Sequence, residues 1–348
     1  MSQLDLFGSP VSPAGDGGET PTADRLAAAH AAASQLARTL PRGVRFGTSS
    51  WSFPGWAGIV YSRARPERAL ARDGLAEYVR HPLLTTVGID RSYYAPIPEH
   101  DFRRYAEQLP AGFPCCAKAP AVVTSPVLPG ASRGAGALAN PDFLSADRFI
   151  TDMLEPVARS FAAHTGPFIL QISPLRGAPP DPTAFVERLD ALLGALPSTF
   201  RYAVELRDRR LLTPAYARVL ASHGAGHVYN YWSAMPMPTA QEATVPLDTA
   251  PFCVVRLLIR PGTWYEDQRE RFRPFDRIVE PDDRMRADVI DLVTRVSRTG
   301  GETFVLVNNK AEGSAPLTIA ALASRFAAQR QPKSSGSHAS PSSSGGPM

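Results

Sequence analysis

Eight short apolar runs punctuate the chain, each the length of one strand: Val44–Thr48, Leu84–Asp90, Phe113–Lys118, Pro167–Ile172, Phe200–Leu206, His227–Trp232, Phe252–Ile259 and Thr303–Asn309. Between most of them apolar residues recur at helical spacing. Pro66–Arg80 carries Leu70, Leu75 and Val79; Ser145–Ala163 carries Phe149, Leu154 and Phe161; Pro182–Leu196 carries Phe185, Leu189 and Leu193. Glu99–Gln108, Pro214–Ser222, Asp282–Arg298 and Ala315–Gln329 complete the predicted helices, and Met235-Pro-Met-Pro238 reads as a loop after the sixth run. Strand followed by helix, repeated eight times, predicts an α/β fold of the (β/α)8 TIM-barrel type over 44–330. The alternative is an open doubly wound sheet. That fold usually carries a glycine-rich turn after its first strand, and Gly47-Thr-Ser-Ser-Trp51 is not one.

The flanks differ in composition. Residues 22–43 hold an alanine-rich helical lead-in. Residues 1–21 and 331–348 are rich in Gly, Pro, Ser and Thr and read as disordered N- and C-terminal extensions. The first of them contains Gln3-Leu-Asp-Leu-Phe7, which resembles the bacterial sliding-clamp-binding peptide. In that motif Gln3, Leu4, Leu6 and Phe7 are the partner-binding residues, and a free terminus is where docking would need them.

The ends of the apolar runs carry the candidate chemistry. In Tyr202-Ala-Val-Glu-Leu-Arg-Asp208 the pair Glu205 and Arg207 is two apart, so on a strand both point to one side. The first run leads into Ser49 and Trp51, the second into Asp90, Tyr93 and Tyr94. The third ends at Lys118 and the fourth holds Gln171. The sixth gives Asn230 and Trp232, the seventh holds Arg256, and the eighth runs into Asn308 and Asn309. In a barrel these positions converge on the carboxyl mouth, where polar residues are more often functional than elsewhere. Glu205 beside Arg207 should stay ionised and suit a general base, with Asp90 and Lys118 completing the catalytic candidates. Arg207 suits bidentate binding of phosphate or carboxylate. Gln171, Tyr93, Tyr94, Trp51, Ser49, Arg256, Asn308 and Asn309 are the other substrate-binding candidates. Each also has a plainer reading: Glu205 and Arg207 as a buried ion pair, the aromatics as wall and loop packing, the two asparagines as ties between loops.

Composition narrows the class. At 348 residues, 44% hydrophobic and 20% charged, the chain can bury a large core. No run approaches the length of a membrane span, and no basic segment followed by an apolar core suggests a signal peptide. Cys115, Cys116 and Cys253 sit in apolar runs and fit buried thiols in a reducing cytoplasm. The net charge of +4 is mildly basic without a dense Lys/Arg block. No histidine falls at the carboxyl end of a predicted strand, and neither H-E-x-x-H nor C-x-x-C occurs, so no cofactor is expected; Asp90 and Glu205 could still share a divalent cation through oxygen.

Taken together, Gly47-Thr-Ser-Ser-Trp-Ser-Phe-Pro-Gly-Trp56, Tyr93-Tyr94, Lys118, Gln171, Val204-Glu-Leu-Arg207 and Asn308-Asn309 with Gly313 and Ala315-Pro316 resemble the YecE-like family of uncharacterised TIM-barrel proteins, over roughly Val44 to Phe326. The chain departs from that pattern at Gly88 and Asp90, where relatives usually have glutamate and asparagine. It departs again at Lys310 and Thr318, where histidine and asparagine are common. The resemblance implies the barrel and no established reaction. Three functions therefore follow as expectations: an acid/base enzyme acting on a small anionic or polyhydroxylated substrate, a clamp-recruited protein of DNA maintenance, or a non-catalytic binding barrel. If the N-terminal peptide docks as its motif implies, Leu6→Ala with Phe7→Ala abolishes recovery of sliding clamp in a pull-down. Equal recovery by both proteins would remove the clamp from the picture.

Overall fold

The computed structural model describes residues 22–127, 139–174 and 181–330. The Gln3–Phe7 peptide and the extension from 331 onward lie outside the described residues. The eight strands are β1 (Val44–Thr48), β2 (Leu84–Ile89), β3 (Cys115–Ala117), β4 (Phe168–Ile172), β5 (Tyr202–Leu206), β6 (Gly226–Tyr231), β7 (Phe252–Leu257) and β8 (Glu302–Val307). They form one parallel sheet in the order β3-β2-β1-β8-β7-β6-β5-β4. Its two edges meet through isolated parallel bridges, Cys115 to Thr165 and Lys118 to Ile169. Gly166 N–H donates to the Cys115 carbonyl at 2.8 Å and Ala119 N–H to the Ile169 carbonyl at 2.9 Å. The sheet therefore closes on itself as a (β/α)8 barrel, and Lys118 stands on the closing seam.

Side-chain alternation sorts the strands into two cores. Cys116, Ile169, Ala203, Val228, Phe252, Val254, Phe304 and Leu306 pack together as a small cluster. These residues fill the barrel interior. Their strand neighbours Val204, Leu206, Val255, Leu257, Val305 and Val307 belong to the larger cluster shared with the helices. Two residues beyond the inner layer, toward the carboxyl mouth, the same inward parity reaches Lys118, Gln171, Glu205, Asn230, Arg256 and Asn308. An apolar plug thus occupies the barrel below and polar groups lie above it.

The helices hold most of their predicted places, with physical departures. The lead-in helix Thr22–Ala37 lies against the C-terminal helix Ala315–Arg330. The 66–80 segment divides at Gly74 into Glu67–Asp73 and Leu75–Tyr78. The 145–163 segment is not one helix: a π turn, Ile150–Leu154, separates Ala146–Phe149 from Glu155–Ser160. Pro156 has no N–H for a bond into that turn, which explains the widened spacing there. The expected loop after β6 contains a short helix, Pro238–Glu242, whose first residue is a proline that needs no donor. A further helix, Tyr265–Phe272, follows β7; its exposed polar face gave no apolar periodicity to detect.

Where β1 crosses β2, the chains approach so closely that a Cβ on Gly47 would sit 2.2 Å from the Thr86 carbonyl oxygen. Gly47→Ala must push β1 from β2 at its register shift. It is expected to cost about 3 kcal/mol in urea unfolding. A cost below about 0.5 kcal/mol would show that the strands give way freely.

Candidate functional site

The inward-facing groups at the mouth form one alternating chain of charge. Lys118 Nζ lies 3.1 Å from Asp90 Oδ2. Arg256 Nη2 donates to both Asp90 oxygens, at 3.2 and 3.4 Å, while its Nη1 donates to Glu205 Oε2. The other Glu205 oxygen meets Arg207 Nε at 2.5 Å, an ionic contact whose geometry misses a directed hydrogen bond. Arg207 Nη2 then donates to Gln171 Oε1 at 2.8 Å. The sequence Lys118, Asp90, Arg256, Glu205, Arg207 thus alternates in sign and ends on a cation at both sides.

Burial grades the chain. Glu205 and Arg256 have no exposed surface, whereas the Asp90 side chain keeps 22%. Lys118 and Arg207 sit between these limits, nearly buried. Burial would push the Glu205 carboxyl up, but Arg207 and Arg256 outweigh it and hold its pKa below the usual range. For Arg256 burial is likewise overcome, by Glu205 and Asp90, so it stays firmly protonated. Burial wins at Lys118: against the pull of Asp90 it lowers the ammonium pKa to about 8.

Arg207 is the link to solvent. Its guanidinium lies 3.8 Å above the centre of the Trp232 ring. Among the described residues its Nη1 has no hydrogen-bond partner. A cleft of about 930 Å³ opens over it, walled by Trp232, Arg209, Arg210, Trp264 and Tyr265. Lys118 and Asp90 are not part of that wall and form the other end of the ionic chain. Tyr93 borders them: Lys118 Nζ is 5.2 Å from its ring centre, and its hydroxyl pairs with Ser173 Oγ at 2.9 Å. Tyr94, 60% exposed, packs edge-on against Tyr93.

The structure therefore brings together Glu205, Asp90, Lys118, Arg207, Gln171, Arg256, Tyr93 and Tyr94, as the strand-end pattern implied. Three expectations need correction. Trp51 does not reach the mouth: it is buried in the outer layer, donates from Nε1 to the Leu70 carbonyl at 2.9 Å and packs edge-on to Tyr105. Asn309 is a buried tie between loops, accepting from Trp56 Nε1 at 3.2 Å and from Ala315 N–H at 2.8 Å. Arg256 has no surface to offer a substrate; it grips two acids instead. Asn308 caps the turn after β8, accepting from Lys310 N–H at 3.0 Å. Ser49 is buried against Gly88, and its hydroxyl has no hydrogen-bond partner among the described residues. Asp90 and Glu205 do converge on a cation, but it is the Arg256 guanidinium. Among the described residues no three His, Cys, Asp or Glu cluster in a way that could hold a metal ion. Trp264 and Arg209 escaped the sequence reading because they lie in the connections after β7 and β5, where no periodicity marks them, whereas Trp232 was marked by the end of the sixth run.

Comparison with known proteins bears on this geometry. The profile of the family described as "Protein of unknown function DUF72" matches residues 45–343. The fold is shared with a DUF72 family protein from Thermotoga maritima, at 21% identity, TM-score 0.58, covering 81% of this chain and 98% of that one. A DUF72 family protein from Enterococcus faecalis shares it at 18% identity, TM-score 0.57, covering 82% and 95%. A search of curated proteins found no match. At these identities the likeness shows the fold alone.

Arg256→Met would strip the buried Glu205 and the partly exposed Asp90 of a partner and is expected to cost about 3–5 kcal/mol in chemical unfolding. Glu205 gives a separate, pH-dependent signature. Its folded pKa lies below the unfolded value of about 4.3, so its contribution to stability is present above that value and is lost as pH falls through the folded pKa. Glu205→Gln should flatten the stability profile in the acid range below about pH 5. An unchanged acid slope would mean that the two arginines do not hold this carboxylate ionised.

Proposed function

The chain belongs to the DUF72 family, the YecE-like group its motifs resemble, whose description gives no reaction; from its geometry we propose that the barrel mouth binds a small anionic substrate and exchanges protons with it. The carrying observation is the surplus cation of the ionic chain, Arg207, which lines the cleft and whose Nη1 has no hydrogen-bond partner among the described residues. A guanidinium held on a tryptophan face and by a glutamine carbonyl is preorganised, so a phosphate or carboxylate meets a fixed donor.

The roles differ from those the sequence alone suggests. Glu205 is fully buried and shared by two guanidiniums, so it positions Arg207 instead of accepting a substrate proton. Proton exchange passes to Lys118 and Asp90. A lysine with a pKa near 8 is present in both protonation states at working pH, which suits a general acid or base. Asp90, partly exposed and ion-paired to that lysine, sets how readily it gives up its proton. The reaction class this supports is proton transfer on a small anion, as in a lyase, an isomerase or a hydrolase.

Calorimetric titration of the full chain with inorganic phosphate and with small carboxylates tests the anchor. Arg207→Met should weaken binding at least tenfold, about 1.4 kcal/mol, while Arg207→Lys retains part of it. Lys118 is tested by its rate of reductive methylation against pH. The rate should rise with an inflection near 8, and Asp90→Asn should move that inflection lower by removing the carboxylate that favours the ammonium. An inflection near the ordinary lysine value of about 10.4 would sink the proton-transfer role.

A further inference from the structure

The large apolar side chains exposed among the described residues are Tyr94, Trp264 and Tyr265, and all three lie in the connections that follow β2 and β7, Tyr265 as the first residue of its helix. Scattered exposed aromatics need no explanation; a cluster on the rim of a cleft does. Trp264 is 78% exposed and its ring makes no aromatic or cationic contact among the described residues. Tyr265 is covered on one side by Lys310, whose Nζ is 4.4 Å from the ring centre. Tyr94 stands within electrostatic reach of Tyr265, Asp90 and Arg207, so the loops after β2 and β7 face each other across the opening.

Polar groups on the same wall are of both signs. Arg209 and Asp267 line the cleft, are exposed, and their side chains have no ion pair or hydrogen bond to protein among the described residues. Arg210 is already spent on Asp208. A wall that offers one free guanidinium and one free carboxylate beside a bare indole does not select a polyanion, which a surplus of cations would draw. It matches a ring whose hydroxyls both donate and accept, and whose C–H edge, slightly positive, lies on the negative face of an aromatic. The volume, about 930 Å³, holds such a ring with room for a substituent at Arg207.

We infer that the cleft is a sugar subsite: Trp264 is the platform for a pyranose or furanose ring, Arg209 and Asp267 take its hydroxyls, and a phosphate or carboxylate on that sugar reaches Arg207. The inference rests on the anion-binding reading above and gives its substrate a class, a phosphorylated or acidic sugar. Phosphate and carboxylate share the chemistry that Arg207 recognises, and separate probes distinguish them.

The test is calorimetry on the full chain with glucose 6-phosphate, glucuronate, methyl glucoside, adenosine monophosphate and inorganic phosphate, comparing the parent with Trp264→Ala and Trp264→Phe. Unchanged melting curves establish that the variants fold. One sugar anion should bind at least about tenfold tighter than inorganic phosphate. Trp264→Ala should weaken it about fivefold, Trp264→Phe should restore it, and neither should alter phosphate affinity. Phosphate binding that depends on Arg207 but gains nothing from a sugar would overturn the subsite and leave the anion site standing. Binding of methyl glucoside that depends on Trp264, with no anion bound, would uphold the subsite and overturn the anion reading. Tighter binding of adenosine monophosphate than of every sugar anion would overturn the sugar class in favour of a nucleobase on the same platform. Silence with all five probes would overturn both.

Discussion

One guanidinium, that of Arg256, holds the upper barrel together. It has no exposed surface and reaches two carboxylates that arrive from opposite parts of the sheet, Asp90 after β2 and Glu205 on β5. Taking any of these charges out of water is expensive, and the expense is tolerated only while all three remain in contact. The constraint passes outward in both directions. Glu205 leaves Arg207 no freedom to turn away from the cleft, and Asp90 keeps Lys118 at the seam where β3 meets β4. A dense ionic lattice underneath thus fixes the two cations above it.

Closure of the barrel explains why this lattice can exist at all. The inner apolar layer, with Phe252 and Phe304 among its members, seals the floor against water. Above it six of the strands carry a polar side chain of inward parity at or just past their carboxyl ends, Lys118, Gln171, Glu205, Asn230, Arg256 and Asn308. The effective dielectric falls there, and that strengthens attraction within pairs while penalising a lone charge. Lys118 shows the balance: Asp90 favours its charge, yet burial prevails. Arg207 shows the other end, with burial lowering its pKa and Glu205 opposing that.

The corrections share a cause. Trp51 and Asn309 lie within two or three residues of a strand end, and a turn there can aim a side chain at the mouth or at the helices. The spacing is the same in either case. Trp51 turned outward, where its indole N–H donates to the Leu70 carbonyl; Asn309 turned away from the cleft, where it accepts from the Trp56 indole and from the first N–H of the C-terminal helix, Ala315. Arg256 and Glu205 were read as working groups because they are charged and near strand ends. Burial, which a single sequence does not display, makes them supports. The rim aromatic Trp264 was passed over for the opposite reason, since a residue in a connection carries no period.

What the sequence by itself determined is the barrel and the identity of its polar ring. Alternation along eight apolar runs decides which residues face inward, because strand geometry has a period of two and a slip of one residue would bury the wrong set. Glu205, Lys118, Asp90, Arg207 and Gln171 could therefore be picked out in advance. Only the tertiary structure decided how their charges pair, since Arg256 is 51 residues from Glu205 and 166 from Asp90 along the chain. Coulomb energy and desolvation depend on distances through space, and those come into being only when the sheet closes.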